Sequence, residues 1–136
     1  YSFLGAVNLF RGRAGAGAIT LGDPSLHHRA ASLPQGAAVI AFARPHELDI
    51  HTDLAANHGV RARITRVQAF GLTARVELER SEVDGQLHHH EVELPLDRLV
   101  ALQLKTGIEV RLVPSHLKVF PSPPPQHPDH FIAAGI

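Results

Sequence analysis

The most regular stretch of the chain runs from Leu72 to Glu79, where Leu72, Ala74, Val76 and Leu78 alternate with Thr73, Arg75, Glu77 and Glu79. A period of two is the pattern of a strand with one buried face. Upstream, Val60, Ala62 and Ile64 share one parity while Val67 and Ala69 share the other, so a bulge near Thr65-Arg66 keeps all five facing inward. Gly71 separates the two runs, a glycine bend of the sort that turns the corners of a small curled barrel. Asp84-Gly85 marks a turn within Ser81 to Gln86, and Leu87 to Leu94 returns as the partner strand, completing a meander.

The same patterning continues on both sides. Val7 to Arg13 and Ala18 to Leu21 predict a hairpin around Ala14-Gly15-Ala16-Gly17, and Ala37 to Ala43 a buried strand. Pro95 stands where a first helical position falls, ahead of Leu96, Leu99 and Val100 at helical spacing, which predicts one short helix before Gly107. Ile108, Val110 and Leu112 alternate again, Pro114-Ser115-His116 turns the chain, and Leu117, Val119 and Phe120 form a last short strand. About seven or eight short strands with one helix describe a mainly all-β, Greek-key barrel. Asp23 to Gly36 reads as a long polar connection. Pro121 to Pro128 is extended or disordered by composition, so a domain over 1–120 and a Pro-rich tail over 121–136 are expected.

Composition narrows the function. The 136 residues fit one domain with a real core. Thirteen Lys+Arg balance thirteen Asp+Glu, so no long-range field draws in nucleic acid or an anionic membrane. There is no cysteine, which removes disulfides and thiolate chemistry and suits a reducing, cytoplasmic compartment. No apolar run approaches the roughly 20 residues of a membrane-spanning helix, and no basic region followed by an apolar one opens the chain. With no methionine and an abrupt start at Tyr1-Ser2-Phe3-Leu4-Gly5, the chain is expected to be a piece of a longer protein.

Candidate chemistry is sparse. His88 and His90 lie on one strand face and are the candidate metal ligands, but no third or fourth ligand is placed by the sequence, and Val92 and Leu94 share that face. The expectation is therefore no metal, and His27-His28 carries less weight still. Arg61, Arg63, Arg66, Arg75 and Arg80 could line a groove for single-stranded nucleic acid, yet the stacking aromatics are missing and Glu77, Glu79 and Glu82 interleave with them. A salt-laced solvent face, with no nucleic acid, is the expectation. Glu77/Glu79, Glu91/Glu93 and Glu47/Asp49 read as strand dressing, and no catalytic residue is assigned. The run Arg13 to Gly22 is rich in glycine and alanine but lacks the lysine and hydroxyl of a phosphate-binding loop, and no other nucleotide-hydrolysing motif is present.

One corner stands out. The apolar strand Val39 to Ala43 runs into Arg44-Pro45-His46-Glu47-Leu48. Proline fixes its own φ, pushes Arg44 to an extended conformation and removes a ladder donor, so the strand must end there. Arg44 then offers five donors to backbone carbonyls or a partner.

Together with Leu104-Lys105-Thr106-Gly107-Ile108-Glu109-Val110 and Leu117-Lys118-Val119-Phe120, this corner resembles the TOBE-type, OB-fold-like regulatory domain of ABC importer ATPases. Phe3 to Arg13 is similar to the segment that enters this domain, and with Arg-Pro-His and Arg66 to Gly71 the likeness is greatest to the sulfate/thiosulfate importers. The resemblance covers Phe3 to Phe120. It implies a non-catalytic regulatory and dimerisation module whose partners are its own upstream ATPase domain, a second copy of the subunit and, through the ATPase domain, a membrane permease. It places ATP and Mg in that upstream domain, no cofactor here, and the parent on the cytoplasmic side of the membrane. Arg44, Pro45, His46, Gly71 and Gly107 become its structural or interaction residues. Related modules bind molybdate or sulfate, which offers small-oxyanion sensing as the alternative, with Thr20, Ser25, Ser32, Thr65 and Thr73 as available hydroxyls.

Overall fold

A computed structural model describes residues 7–15, 18–21, 26–29, 34–55, 58–82 and 85–122. Ten strands fall within them: β1 (Asn8–Gly15), β2 (Ala18–Leu21), β3 (Leu26–Arg29), β4 (Ala38–Ala43), β5 (Leu48–His51), β6 (Val60–Phe70), β7 (Thr73–Ser81), β8 (Leu87–Pro95), β9 (Glu109–Pro114) and β10 (Lys118–Pro121). A single α-helix, α1 (Leu96–Ala101), joins β8 to β9 among the described residues. The fold is mainly β with OB-like sheets, as the alternation predicts.

The strands form two five-stranded sheets, ordered β10-β4-β1-β2-β3 and β5-β9-β6-β7-β8. In the second, β6, β7 and β8 are a meander and β9 returns beside β6, which is the Greek-key order. β5 packs against both β9 and β8, bringing the two ends of that sheet together. The sheets exchange strands: β5 directly follows β4 but joins the second sheet, and β10 directly follows β9 but joins the first. Phe10, Val39 and Ala41 from one sheet and Ile50, Val76 and Val110 from the other accordingly share one buried cluster.

The bulge lies where expected, its register shifting between Ile64 and Arg66 and leaving Thr65 unpaired. Val60, Ala62 and Ile64 are buried before it, but after it Val67 is half-buried and Ala69 is exposed, because β6 there runs past the edge of the core. Leu72 is likewise not inward-facing. Gly71 and Leu72 are the two residues of a tight hairpin rather than a corner bend, with Phe70 paired to Thr73. Gly71 supplies the positive φ, +60°, that the first central position of such a turn demands. In α1, Pro95 is the cap rather than the first helical residue, and Val100 faces outward while Leu96 and Leu99 pack on the core. β3 lies inside the stretch expected to be a polar connection, and β5 follows the Arg-Pro corner without its own apolar alternation to announce it. β10 runs through Pro121, and Ser122 N–H still donates to the Ala38 carbonyl at 2.8 Å, so the ladder reaches into the expected tail. Residues beyond 122 lie outside the described set, as does Asp84 of the predicted turn.

The connection between β5 and β6 is pinned from below. Arg111 on β9, buried, donates Nε and Nη2 to the Leu54 carbonyl at 3.2 and 2.8 Å and Nη1 to the Gly59 carbonyl at 3.3 Å. Gly59 has φ +85°, and a Cβ there would lie 2.7 Å from the Leu112 carbonyl oxygen and 2.9 Å from Val113 Cγ2. Gly59→Ala is therefore expected to cost about 2–3 kcal/mol in a denaturant titration; a cost within about 0.5 kcal/mol of zero, the range of ordinary surface changes, would show that this approach is not constrained.

Candidate functional site

The Arg-Pro corner is a crossing point between sheets. Arg44 is extended at φ −77° and ψ 161°, and Pro45 to Glu47 make one turn of 3-10 helix before β5 begins. Glu47 closes the turn on Arg44: its Oε1 accepts from Arg44 N–H at 2.8 Å, and its own N–H donates to the Arg44 carbonyl at 2.9 Å. Ser115, after β9, donates both N–H and Oγ–H to the Glu47 carbonyl at 2.8 and 3.1 Å. Both strand crossings are thereby tied together, the one after β4 and the one after β9. Arg44 and Pro45 are half-buried, Arg44 is already partnered, and His46 is exposed.

Beside this corner a polar network joins the two sheets through the core. Asn8 on β1 is 2% exposed, Arg80 on β7 5% and His90 on β8 4%. Asn8 Nδ2 donates to the Glu91 carbonyl at 2.8 Å and the Ala43 carbonyl at 3.2 Å, while its Oδ1 accepts from Glu91 N–H at 2.8 Å. The carboxamide thus stands in for a neighbouring strand against the outer edge of β8. Arg80 Nε donates to His90 Nε2 at 3.0 Å. Because a guanidinium can only donate, that His90 nitrogen carries no proton, and the proton on Nδ1 points to Asn8 Oδ1 at 3.3 Å. His90 stacks on Phe10, with centroids 4.8 Å apart and planes 13° from parallel, and Arg80 lies over the same ring at 5.5 Å. Arg80 Nη1 reaches Glu82 Oε1 at 3.2 Å, and His88 Nε2 stands 3.3 Å from the same oxygen.

Burial lowers the His90 pKa to about 3, with the Arg80 charge and then His88 and His89 adding to the effect. Burial also lowers Arg80, opposed by Glu82. Both His90 nitrogens are engaged, one of them by a cation's N–H, so His90 serves as a connector between sheets rather than as a metal ligand paired with His88. Among the described residues, no group of three or more His, Asp or Glu is placed to hold a metal. Arg80 does not belong with the solvent-facing arginines. Its parity with Ala74, Val76 and Leu78 was the available signal, and Asn8 at the mouth of an apolar strand was the other.

The remaining arginines do form a salt-laced face. Arg61 pairs with Glu109, Arg63 with Glu79 at 2.6 Å, Arg66 with Glu77 at 3.8 Å, and Arg75 with Glu91 and Glu93 at 3.3 and 3.6 Å. Each cation crosses to a neighbouring strand or sits opposite a carboxylate, and such exposed pairs contribute little stability. On α1, Arg98 makes a two-pronged pair with Asp49 on β5 at 2.9 and 3.0 Å, securing the helix to the sheet.

The hydroxyls available for an oxyanion do not converge. Thr65 Oγ1 donates to the Glu77 carbonyl at 3.2 Å and Thr73 Oγ1 to the Phe70 carbonyl at 2.9 Å, four residues apart along β7. Ser25 and Ser32 lie outside the described residues, as do the side chains of Thr20, His27 and His28. Gly71 is at the β6–β7 hairpin, and Gly107 N–H donates to the Ile64 carbonyl at 2.8 Å next to the bulge. The five residues singled out by resemblance therefore gather only as the Arg44–His46 corner, with Gly71 and Gly107 elsewhere.

At the hairpin end of the second sheet lies an apolar groove of about 630 Å³ lined by Leu72, Pro95, Leu96, Asp97, Val100 and Ala101. Leu72 is 87% exposed and Val100 67%. Leu96 N–H donates to the Leu72 carbonyl at 2.8 Å, fixing the hairpin tip against the start of α1.

Two family profiles match in tandem: the CysA C-terminal regulatory domain over residues 8–50 and the TOBE-like domain over 55–115. The chain is 40% identical over 127 residues to the sulfate/thiosulfate import ATP-binding protein CysA 1 of Chromobacterium violaceum, covering 91% of this chain and 34% of that protein. It is 36% identical over 129 residues to the corresponding protein of Ralstonia nicotianae, covering 88% and 33%. The chain thus spans about a third of the length of the curated relatives it matches. Among solved structures, the cytoplasmic molybdate-binding protein ModG superposes with a TM-score of 0.63 over 85% of this chain and 96% of that one, at 18% identity, a likeness of fold. The sheet that carries the Arg-Pro corner and the sheet that carries the Greek key correspond to the two matched families, and the chain belongs to the CysA-type C-terminal regulatory and TOBE-like domains, homologous to sulfate/thiosulfate import ATP-binding proteins.

Proposed function

We propose that this chain is the non-catalytic regulatory and dimerisation domain of a subunit that couples ATP hydrolysis to sulfate or thiosulfate import. The observation that supports this most is the tandem match of both regulatory profiles across an interlocked fold, together with 40% identity to a CysA protein over nearly the whole chain. Nucleotide and Mg chemistry belongs to the remaining two thirds of such a subunit. The permease is reached through that part, so the domain sits on the cytoplasmic side without entering the bilayer. Among the described residues, no helix is long and apolar enough to cross a membrane. The domain acts by contact, through its own ATPase region and a second subunit, and Arg44, Pro45 and His46 shape the corner that holds its two sheets in place.

Deleting the domain from the full-length subunit is expected to leave ATP hydrolysis while weakening subunit pairing or the control of sulfate uptake. A truncated subunit that pairs and transports like the intact one refutes the role. Calorimetric titration of the chain with sulfate and with molybdate tests the sensing alternative: heat at micromolar oxyanion would favour sensing over a purely contact-based role.

A further inference from the structure

We infer that the groove between the β6–β7 hairpin and α1 is where a second copy of this chain docks, each copy seating its Leu72 in the other's groove. This rests on the pairing role proposed above and names the surface that performs it.

Leu72 occupies the second central position of a tight turn, where Gly, Asn or Ser satisfy the geometry and no core contact rewards a large apolar side chain. Its tip is held rigid by the hydrogen bond from Leu96, so the side chain projects as a fixed knob. The adjoining hollow, floored by Leu96, Val100 and Ala101, is apolar apart from Asp97 at its rim. Knob and hollow lie side by side on one face. That is the arrangement a two-fold axis needs, since the same patch must serve both partners and each knob finds a hollow opposite.

Charge and area both fit a second copy. Thirteen cations against thirteen anions leave no net repulsion between identical molecules. The hairpin carries Arg75 and the groove rim Asp97, so opposite charges flank the contact. A patch of this kind covers on the order of 300–600 Å² per copy, at or below the lower end of the roughly 1,200–2,000 Å² total that stable pairs bury. The isolated chain therefore pairs weakly, with a dissociation constant of about 100 µM, and tight pairing depends on the rest of the subunit.

Sedimentation equilibrium of the chain from about 20 µM to about 1 mM, bracketing that constant, is expected to show a reversible monomer–dimer equilibrium. Leu72→Asp should raise the dissociation constant about tenfold or more with an unchanged melting temperature, because the side chain is exposed. Leu87→Asp, 53% exposed at the other end of β8, should change neither. Because the chain has no cysteine, Leu72→Cys and Val100→Cys variants can be mixed and oxidised. The mixed disulfide should form well above the level reached when Leu87→Cys replaces either. A chain that stays monomeric to about 1 mM overturns the inference. A dimer that Leu72→Asp leaves intact, or that cross-links equally through Leu87→Cys, overturns this surface while leaving the pairing role to the deletion experiment.

Discussion

Asn8→Ala is expected to lower the unfolding free energy by about 3–5 kcal/mol, far more than an exposed asparagine costs. Removing the carboxamide strips both partners from the Glu91 peptide and the acceptor from His90 Nδ1–H, leaving groups inside the sheet–sheet contact that water reaches poorly. The effect is cooperative, because Arg80 then faces a histidine no longer held in one tautomer. Urea unfolding of Asn8→Ala, with Leu87→Ala as the exposed comparison, measures it. A loss below about 1 kcal/mol, no more than one ordinary hydrogen bond, would falsify the network's part in joining the sheets.

Acid should loosen the same contact through His90. Its pKa is held near 3 in the folded protein against the usual 6.5, so between those values the unfolded chain binds a proton that the folded one refuses. The stability conferred by neutral His90 is complete above pH 6.5 and is lost as pH falls from 6.5 toward 3, at about 1.4 kcal/mol per pH unit. Denaturant titrations between pH 7 and pH 5 should show this slope in the native chain. His90→Asn, which cannot titrate, should be less stable at pH 7 and should lack this component of the slope. Equal slopes for the two proteins would place the acid sensitivity elsewhere.

The outer faces of β6, β7 and β8 were legible because alternation survives wherever one side meets water. The bulge at Thr65 was legible for the same reason, as a break in parity. The alternation misleads at its ends, where Ala69 and Leu72 keep the rhythm but the core has stopped. β5 was hidden because four residues after a proline give too short a pattern, and its place depends on β9, some sixty residues away. The polar network was hidden for a different reason. Arginine and histidine normally signal solvent, and only their parity with Leu78, Val92 and Leu94 shows that they point inward. The Arg44 corner was legible as a stop, since proline chemistry is local, but that it ties two sheet crossings through Glu47 and Ser115 is a property of the folded chain alone.

The strand exchange between sheets has a consequence for the order in which the protein can form. β4 gains its outer neighbour only from residues 118–121, and β5 waits for β9, so neither sheet closes from its own local sequence. Pairings so distant along the chain raise the entropy of closure and slow the search. As the nascent polypeptide leaves the ribosome, β1, β2 and β4 must wait with an apolar face and a bare edge until almost the last strand has been made. The point at which the two halves interlock is therefore also the time at which the domain is most exposed to misassembly, and a chain stopped before residue 118 would never leave that state.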